Sequence, residues 1–155
     1  MYNRVLVPLD GSQLSECSLQ HVKSTITEGH RTDVILLRVI EPLLSNDAAV
    51  WAQAGYTVTE VEKKHKKDAE EYLKQIAEML SRAGVIARIE VVFGRAAEAI
   101  MEYASEHKVD LIIISTHGRS GISRLAFGSV AEKVVHNTDI PVLLVTAPGC
   151  RTKKK

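Results

Sequence analysis

Between Ser115 and Ser129 the chain gathers small, hydroxyl-bearing and basic residues in an order suited to holding an anion. Ser115 is followed three positions on by Gly118 and then, after nine intervening residues, by Gly128-Ser129. Glycine lets backbone amides approach an anion with no Cβ in the way. Gly128-Ser129 stands where a helical pattern begins, and the unpaired amides of a helix start carry partial positive charge. A strand end, a glycine loop and a helix N-terminus together make a phosphate cradle. Ser120 and Ser129 add hydroxyl donors, and Arg119 or Arg124 adds a charge. The same residues also serve a fold without ligand, with Gly118 and Gly121 as turn glycines and Ser129 as a helix cap. Spacing alone leaves those two readings level. The segment is not a Walker loop, since no Gly-Lys-[Ser/Thr] occurs. No Gly-x-Gly-x-x-Gly follows the first strand either, which removes the usual dinucleotide fingerprint.

Other reactive side chains form no catalytic constellation. His117 is the only histidine in the loop; it could act as a base or position phosphate, or equally bond backbone or ribose. His21, His30, His65, His107 and His136 are scattered, without a His-Glu-x-x-His pair. Ser12 and Ser15 follow a strand but lack a Gly-x-Ser-x-Gly elbow. Cys17 and Cys150 are too few for a disulfide framework or a four-cysteine zinc site. Cys17 falls on an inner helical stripe and reads as a small core residue. No catalytic residue and no protein-held metal is assigned.

The elements that must position the loop are legible as alternating apolar runs and helical stripes. Val5–Leu9 reads as a strand ending at Asp10-Gly11-Ser12, and Leu14, Cys17, His21 or Val22, and Ile26 recur at helical spacing up to Gly29. Val34–Ile40 is a second strand. Residues 41–57 read as a long loop with one helical turn at most, carrying Trp51 and Tyr56, which would cover either a pocket or a subunit seam. Thr59 with Glu62 predicts a capping box opening a helix whose inner stripe is Val61, His65, Ala69, Tyr72, Leu73, Ile76 and Leu80, ended by Gly84. Its Lys63, Lys64, Lys66 and Lys67, followed by Glu70 and Glu71, read as a solvated face. Residues 85–93 alternate like an edge strand, and a helix follows with Ala97, Ile100, Met101 and Ala104 on one side. Leu111–Ile114, apolar throughout, reads as a central strand covered on both faces. A helix near 129–137 and a strand at 142–145 close the pattern.

Strands separated by helices imply right-handed crossovers, hence a three-layer, doubly wound α/β fold with a parallel five-stranded sheet. In such sheets ligands sit at the carboxyl ends of the strands where the order reverses. For the order 3-2-1-4-5 that point lies between Asp10, ending the first strand, and Ser115, ending the fourth. Asp10 could accept hydrogen bonds from ribose or an adenine amine, or simply shape a turn. Val39 could pack on a flat base, or fill core.

Composition bounds the rest. The chain has 155 residues, 20 Lys+Arg against 19 Asp+Glu, and a net charge of +1. That is one domain (1–148) and a basic tail (149–155), and a balance that argues against general binding of polyanions such as nucleic acid. No apolar stretch reaches the roughly 18 residues of a membrane span, and the opening residues run straight into a strand pattern without a signal peptide. The expectation is a soluble cytoplasmic protein.

From Arg4-Val-Leu-Val-Pro-Leu-Asp-Gly-Ser12 to Pro141-Val-Leu-Leu-Val-Thr146, with its most specific stretch at Ser115–Ser129, the sequence resembles the universal stress protein family. The nucleotide-binding branch carries Gly-x-x-Gly, nine residues, then Gly-[Ser/Thr]; here Gly118, Gly128 and Ser129 match and Ser115 replaces the first glycine. The resemblance implies an adenine nucleotide α-hydrolase-like fold of order 3-2-1-4-5. It implies ATP, ADP or AMP as ligand, with Pro8, Leu9, Asp10 and Val39 around adenine and ribose. Ser115, Thr116, His117, Gly118, Arg119, Gly128, Ser129 and Val130 would hold ribose and phosphates. Mg²⁺ or Mn²⁺ would bridge the phosphates, held by ligand oxygens and water. It further implies a role in stress response through a regulatory protein partner, and a homodimer through the last strand. Slow ATP hydrolysis in the same pocket, or a nucleotide-independent interaction domain, are the alternatives. The apolar run Ile140–Val145 at a sheet edge independently favours pairing through residues 142–146.

Overall fold

The computed structural model describes residues 2–26, 31–116 and 128–146. Five strands form one parallel sheet in the order β3-β2-β1-β4-β5: β1 (Arg4–Pro8), β2 (Asp33–Ile40), β3 (Ala87–Phe93), β4 (Leu111–Thr116) and β5 (Val142–Thr146). Among the described residues five α-helices lie between them: α1 (Leu19–Thr25), α2 (Ser45–Gln53), α3 (Val58–Arg82), α4 (Ala96–Glu106) and α5 (Ser129–Asn137). No helix among the described residues is long and apolar enough to cross a membrane.

The two-residue period of a strand explains the layers. In β1, Val5 and Val7 face one side of the sheet and Leu6 the other; β2 divides Val34 and Leu36 from Ile35 and Leu37, and β4 divides Leu111 and Ile113 from Ile112 and Ile114. Runs that are apolar at every position therefore build two cores at once. One is closed by Leu19 and Val22 of α1 with Leu73, Ile76 and Leu80 of α3. The other is closed by Ala97, Ile100 and Tyr103 of α4 with Ala131 and Val134 of α5. Cys17 is buried in the first core.

Several local expectations need correction. The capping box is Thr57 with Glu60, not Thr59 with Glu62: the Thr57 hydroxyl accepts the Glu60 amide at 3.2 Å, and the Glu60 carboxylate accepts the Thr57 amide at 2.8 Å. Both threonines have an acidic residue three positions on, but the chain is already helical at Thr59. Residues 41–57 are not a loop with a single turn, since α2 occupies nine of them. Among its described side chains that helix buries none, and it packs against α3, so it leaves no apolar stripe to read. The first helical stripe divides into a 3-10 turn at Ser15–Ser18 and the short α1. The lysine face of α3 is exposed as expected, and Gly84 ends that helix at φ +83°, a left-handed conformation natural to glycine.

The amino end of the sheet is tied by charge. Asp110, just before β4, accepts the amides of Asn3 at 2.8 Å and Arg4 at 2.9 Å, so it clasps the start of β1 to β4. Asp33 is held on both oxygens, by Arg4 Nε at 3.0 Å and Arg88 Nε at 3.1 Å. Replacing Asp110 with Ala strands two amides where β1 must begin. Urea unfolding at neutral pH should show a loss of about 1–3 kcal/mol, with the m-value unchanged.

Candidate functional site

The sheet opens where β1 stops pairing. β1 stays in register with β2 through Pro8–Leu37, but its pairing with β4 reaches only Leu6–Ile112. Alternation turns residues 6 and 8 toward β4, and the next donor the ladder requires belongs to Pro8. Proline has no N–H, so the ladder ends and the two strands part. Beyond the gap the chain turns at Gly11, which sits at φ +82°.

A cavity fills this opening. Its walls come from Pro8, Leu9 and Asp10 after β1, Arg38 and Val39 of β2, Ile114 and Ser115 of β4, Ala96 and Ile100 of α4, and Gly128, Ser129 and Val130 at the start of α5. Eight of the twelve expected site residues thus line one cavity: Pro8, Leu9, Asp10, Val39, Ser115, Gly128, Ser129 and Val130. Thr116 ends β4 as a buried residue and is not in the wall. His117, Gly118 and Arg119 lie outside the described residues. Trp51 sits on α2, edge-on to Tyr56 with ring centroids 6.0 Å apart, and no α2 residue lines the cavity. Sequence reasoning missed Arg38, Ala96, Ile100 and Ile114 among the wall residues named here. Arg38 had a signal, as the one charged residue inside the apolar run Val34–Ile40.

Each end of the cavity has its own chemistry. At one end α5 starts at Gly128, which has φ −61° and ψ 145° and provides no side-chain cap. Ser129 is therefore the first helical residue and not the cap. The first amides of α5 have no side-chain cap and no partner among the described residues, and Gly128, Ser129 and Val130 line the cavity, a positive terminus suited to an anion. The Ser115 hydroxyl donates to the Ser15 carbonyl at 3.2 Å, so its side chain is spent on the fold.

At the other end β2 extends past β1. Leu9 N–H donates to Leu37 O at 2.9 Å, while Gly94 N–H donates to Ile40 O at 3.0 Å. Alternation therefore turns the Val39 peptide groups toward β1, where the strand has ended and no described residue pairs with them. Arg38 Nη1 donates instead to the Leu9 carbonyl at 3.3 Å. Between the two ends, Leu9, Ile100, Ile114 and Val130 supply apolar contact.

Asp10 stands on the floor between them. Its Oδ1 accepts the Ser12 amide at 2.9 Å, and its own amide donates to the Ser15 hydroxyl at 3.3 Å. Partial burial pushes the carboxyl up, but hydrogen bonds from Ser12 and Ser15 and the Arg38 charge outweigh it and hold Asp10 below the usual carboxylate range. Oδ1 is committed to the turn, which leaves Oδ2 to accept from a ligand. Among the described residues no group of three or more His, Cys, Asp or Glu could hold a metal ion.

Comparison with known proteins accounts for this arrangement. Residues 1–146 match the model of the universal stress protein family. The chain belongs to the universal stress protein family. It is 30% identical over 148 residues to universal stress protein MJ0531 of Methanocaldococcus jannaschii, covering 96% of this chain and 84% of the relative. It is also 30% identical to MJ0577 of the same organism, whose solved structure superposes with a TM-score of 0.76 over 94% of this chain and 96% of that one. A universal stress protein family protein from Arabidopsis thaliana, solved with AMP bound, shares the fold at a TM-score of 0.62 and 14% identity, covering 93% of this chain and 91% of that one. A universal stress protein solved in complex with cAMP has a TM-score of 0.59 at 23% identity, with 93% and 96% covered.

The Asp10 turn of this universal stress protein gives a pH test. A carboxylate whose folded pKa is lowered contributes stability above its unfolded value, here 3.8, and loses it as pH falls through the folded value. The stability difference between the native protein and Asp10→Asn should therefore be constant from neutral pH to about 4 and shrink below it, as read by denaturant titrations across that range.

Proposed function

We propose that this universal stress protein binds an adenine nucleotide in the cavity beyond β1 and acts as a regulatory module of the stress response. The observation that carries the reading is the pairing of two unmet hydrogen-bonding sets at opposite ends of one cavity. The uncapped start of α5 suits phosphate oxygens. The Val39 N–H and C=O lie side by side as donor and acceptor, and the ring nitrogen and amine of adenine offer the complementary pair. The apolar walls suit the faces of the base, and Asp10 suits a ribose hydroxyl. The AMP and cAMP complexes of relatives that share the fold support the same class of ligand. A divalent cation such as Mg²⁺, when present, would be held by phosphate oxygens and water.

One spectrum tests this. With one Trp and four Tyr in the chain, bound adenine raises the 260/280 absorbance ratio plainly, and extracted ligand identifies itself by chromatography. Val is compatible with φ −61° and ψ 145°, so Gly128→Val should fold normally while its branched side chain screens the α5 amides. Losing two such bonds lowers ATP affinity by on the order of a hundredfold. Unchanged affinity in Gly128→Val sinks the phosphate assignment.

We propose further that two copies pair through β5, residues 142–146. β5 is an edge strand of three half-buried aliphatic residues, one buried valine and a terminal threonine, whereas the opposite edge β3 carries Arg88 and Glu90 as an ion pair. An uncharged apolar edge favours pairing with another chain. Sedimentation at micromolar concentration should give the mass of a dimer; a monomer refutes the pairing.

A further inference from the structure

We infer that Arg38 is a positioning residue that keeps the Val39 peptide edge open, and that adenine recognition depends on it. The inference rests on the nucleotide reading above. The β1–β2 ladder runs Asp33 N–H to Asn3 O at 2.8 Å and, at its far end, Leu9 N–H to Leu37 O at 2.9 Å. The next bond in the series would run from Val39 N–H to Leu9 O. That acceptor is engaged from the side by Arg38 Nη1 at 3.3 Å, and the Val39 bond does not form.

The rest of the surroundings agree. Arg38 alternates to the opposite face from Val39, and its guanidinium reaches the Leu9 carbonyl at the rim of the cavity that Arg38 helps to line. It also lies close to Gly11: a Cβ built there would stand 3.8 Å from Nη1. Its charge is balanced by Asp10, whose carboxyl it helps keep ionised, and by the groove it shares with Glu41, His65 and Asp68. A planar guanidinium can serve a carbonyl and face a carboxylate at once, which an ammonium does less well. The hydrogen bond that Arg38 makes is to the Leu9 carbonyl, so its proposed action on Val39 runs through the end of β1.

The variant Arg38→Met keeps the aliphatic stem and removes the donor. Freed, the Leu9 carbonyl can take the Val39 amide and extend the ladder by one bond. In ligand-free protein, NMR hydrogen exchange at the Val39 amide should slow by about tenfold or more relative to the native chain. In parallel, the preference for ADP over GDP should fall by about three- to tenfold, the worth of one hydrogen bond, with the melting temperature held within a few degrees. Arg38→Lys, which retains a donor, should restore part of both. A Val39 amide that exchanges as fast in Arg38→Met as in the native chain overturns the inference. So does an equal loss of ADP and GDP affinity, which marks a purely structural role. A native protein that binds neither nucleotide overturns the nucleotide reading instead, and Val39 exchange then decides the ladder role of Arg38 alone.

Discussion

The site depends on β1 giving up its hydrogen bonds before its neighbours do. On the β4 side the cause is covalent, because Pro8 has no N–H to donate. On the β2 side Arg38 donates to the Leu9 carbonyl, and the Val39 bond that would continue the ladder does not form. A parallel sheet that paired to the last residue would present a closed rim. Here the central strand is recessed, and the peptide groups of the longer β2 stand exposed at the lip. Backbone groups left unpaired inside a fold are costly unless something meets them.

The remainder of the molecule holds this recess in place. Two cores grip the central strands from both faces, so β1 can shorten without loosening. At the opposite end, Asp110 and the Asp33–Arg4–Arg88 set fix where β1 begins. Fixing the start of a strand whose length is limited at residue 8 also fixes where it ends. The turn after it is built from short polar bonds among Asp10, Ser12 and Ser15. That turn points Asp10 along the floor at little entropic cost, because each side chain involved is short.

Most of this was legible in the sequence, and the exceptions have physical causes. Uninterrupted runs such as Leu111–Ile114 announce strands covered on both faces, so the layers and the strand order followed from pattern and resemblance. α2 left no trace because none of its described side chains is buried, and periodicity reports burial rather than helicity. The capping box was displaced by two residues because Thr57-x-x-Glu60 and Thr59-x-x-Glu62 are equivalent strings, and only the path of the chain distinguishes them. In the cavity, Pro8, Leu9, Asp10, Val39, Ser115, Gly128, Ser129 and Val130 stand together as residue type and resemblance expected. Ala96, Ile100 and Ile114 were not expected there, because apolar walls are chemically anonymous until the fold brings them beside polar groups. Arg38 lay in plain view, as a cation with no reason to stand in a hydrophobic run. Its reason is a carbonyl 29 positions away.

The two sheet edges differ in a way that bears on assembly size. β3 ends the sheet with ion-paired side chains, and β5 ends it with aliphatic ones. The pairing proposed through β5, if made by a two-fold axis, would use the same strand from both copies and so cover the apolar border of each. The growing ribbon is then terminated at both outer margins by charge. A fold with two receptive borders could add copies without limit, as fibrils do; one with a single receptive border is self-limiting.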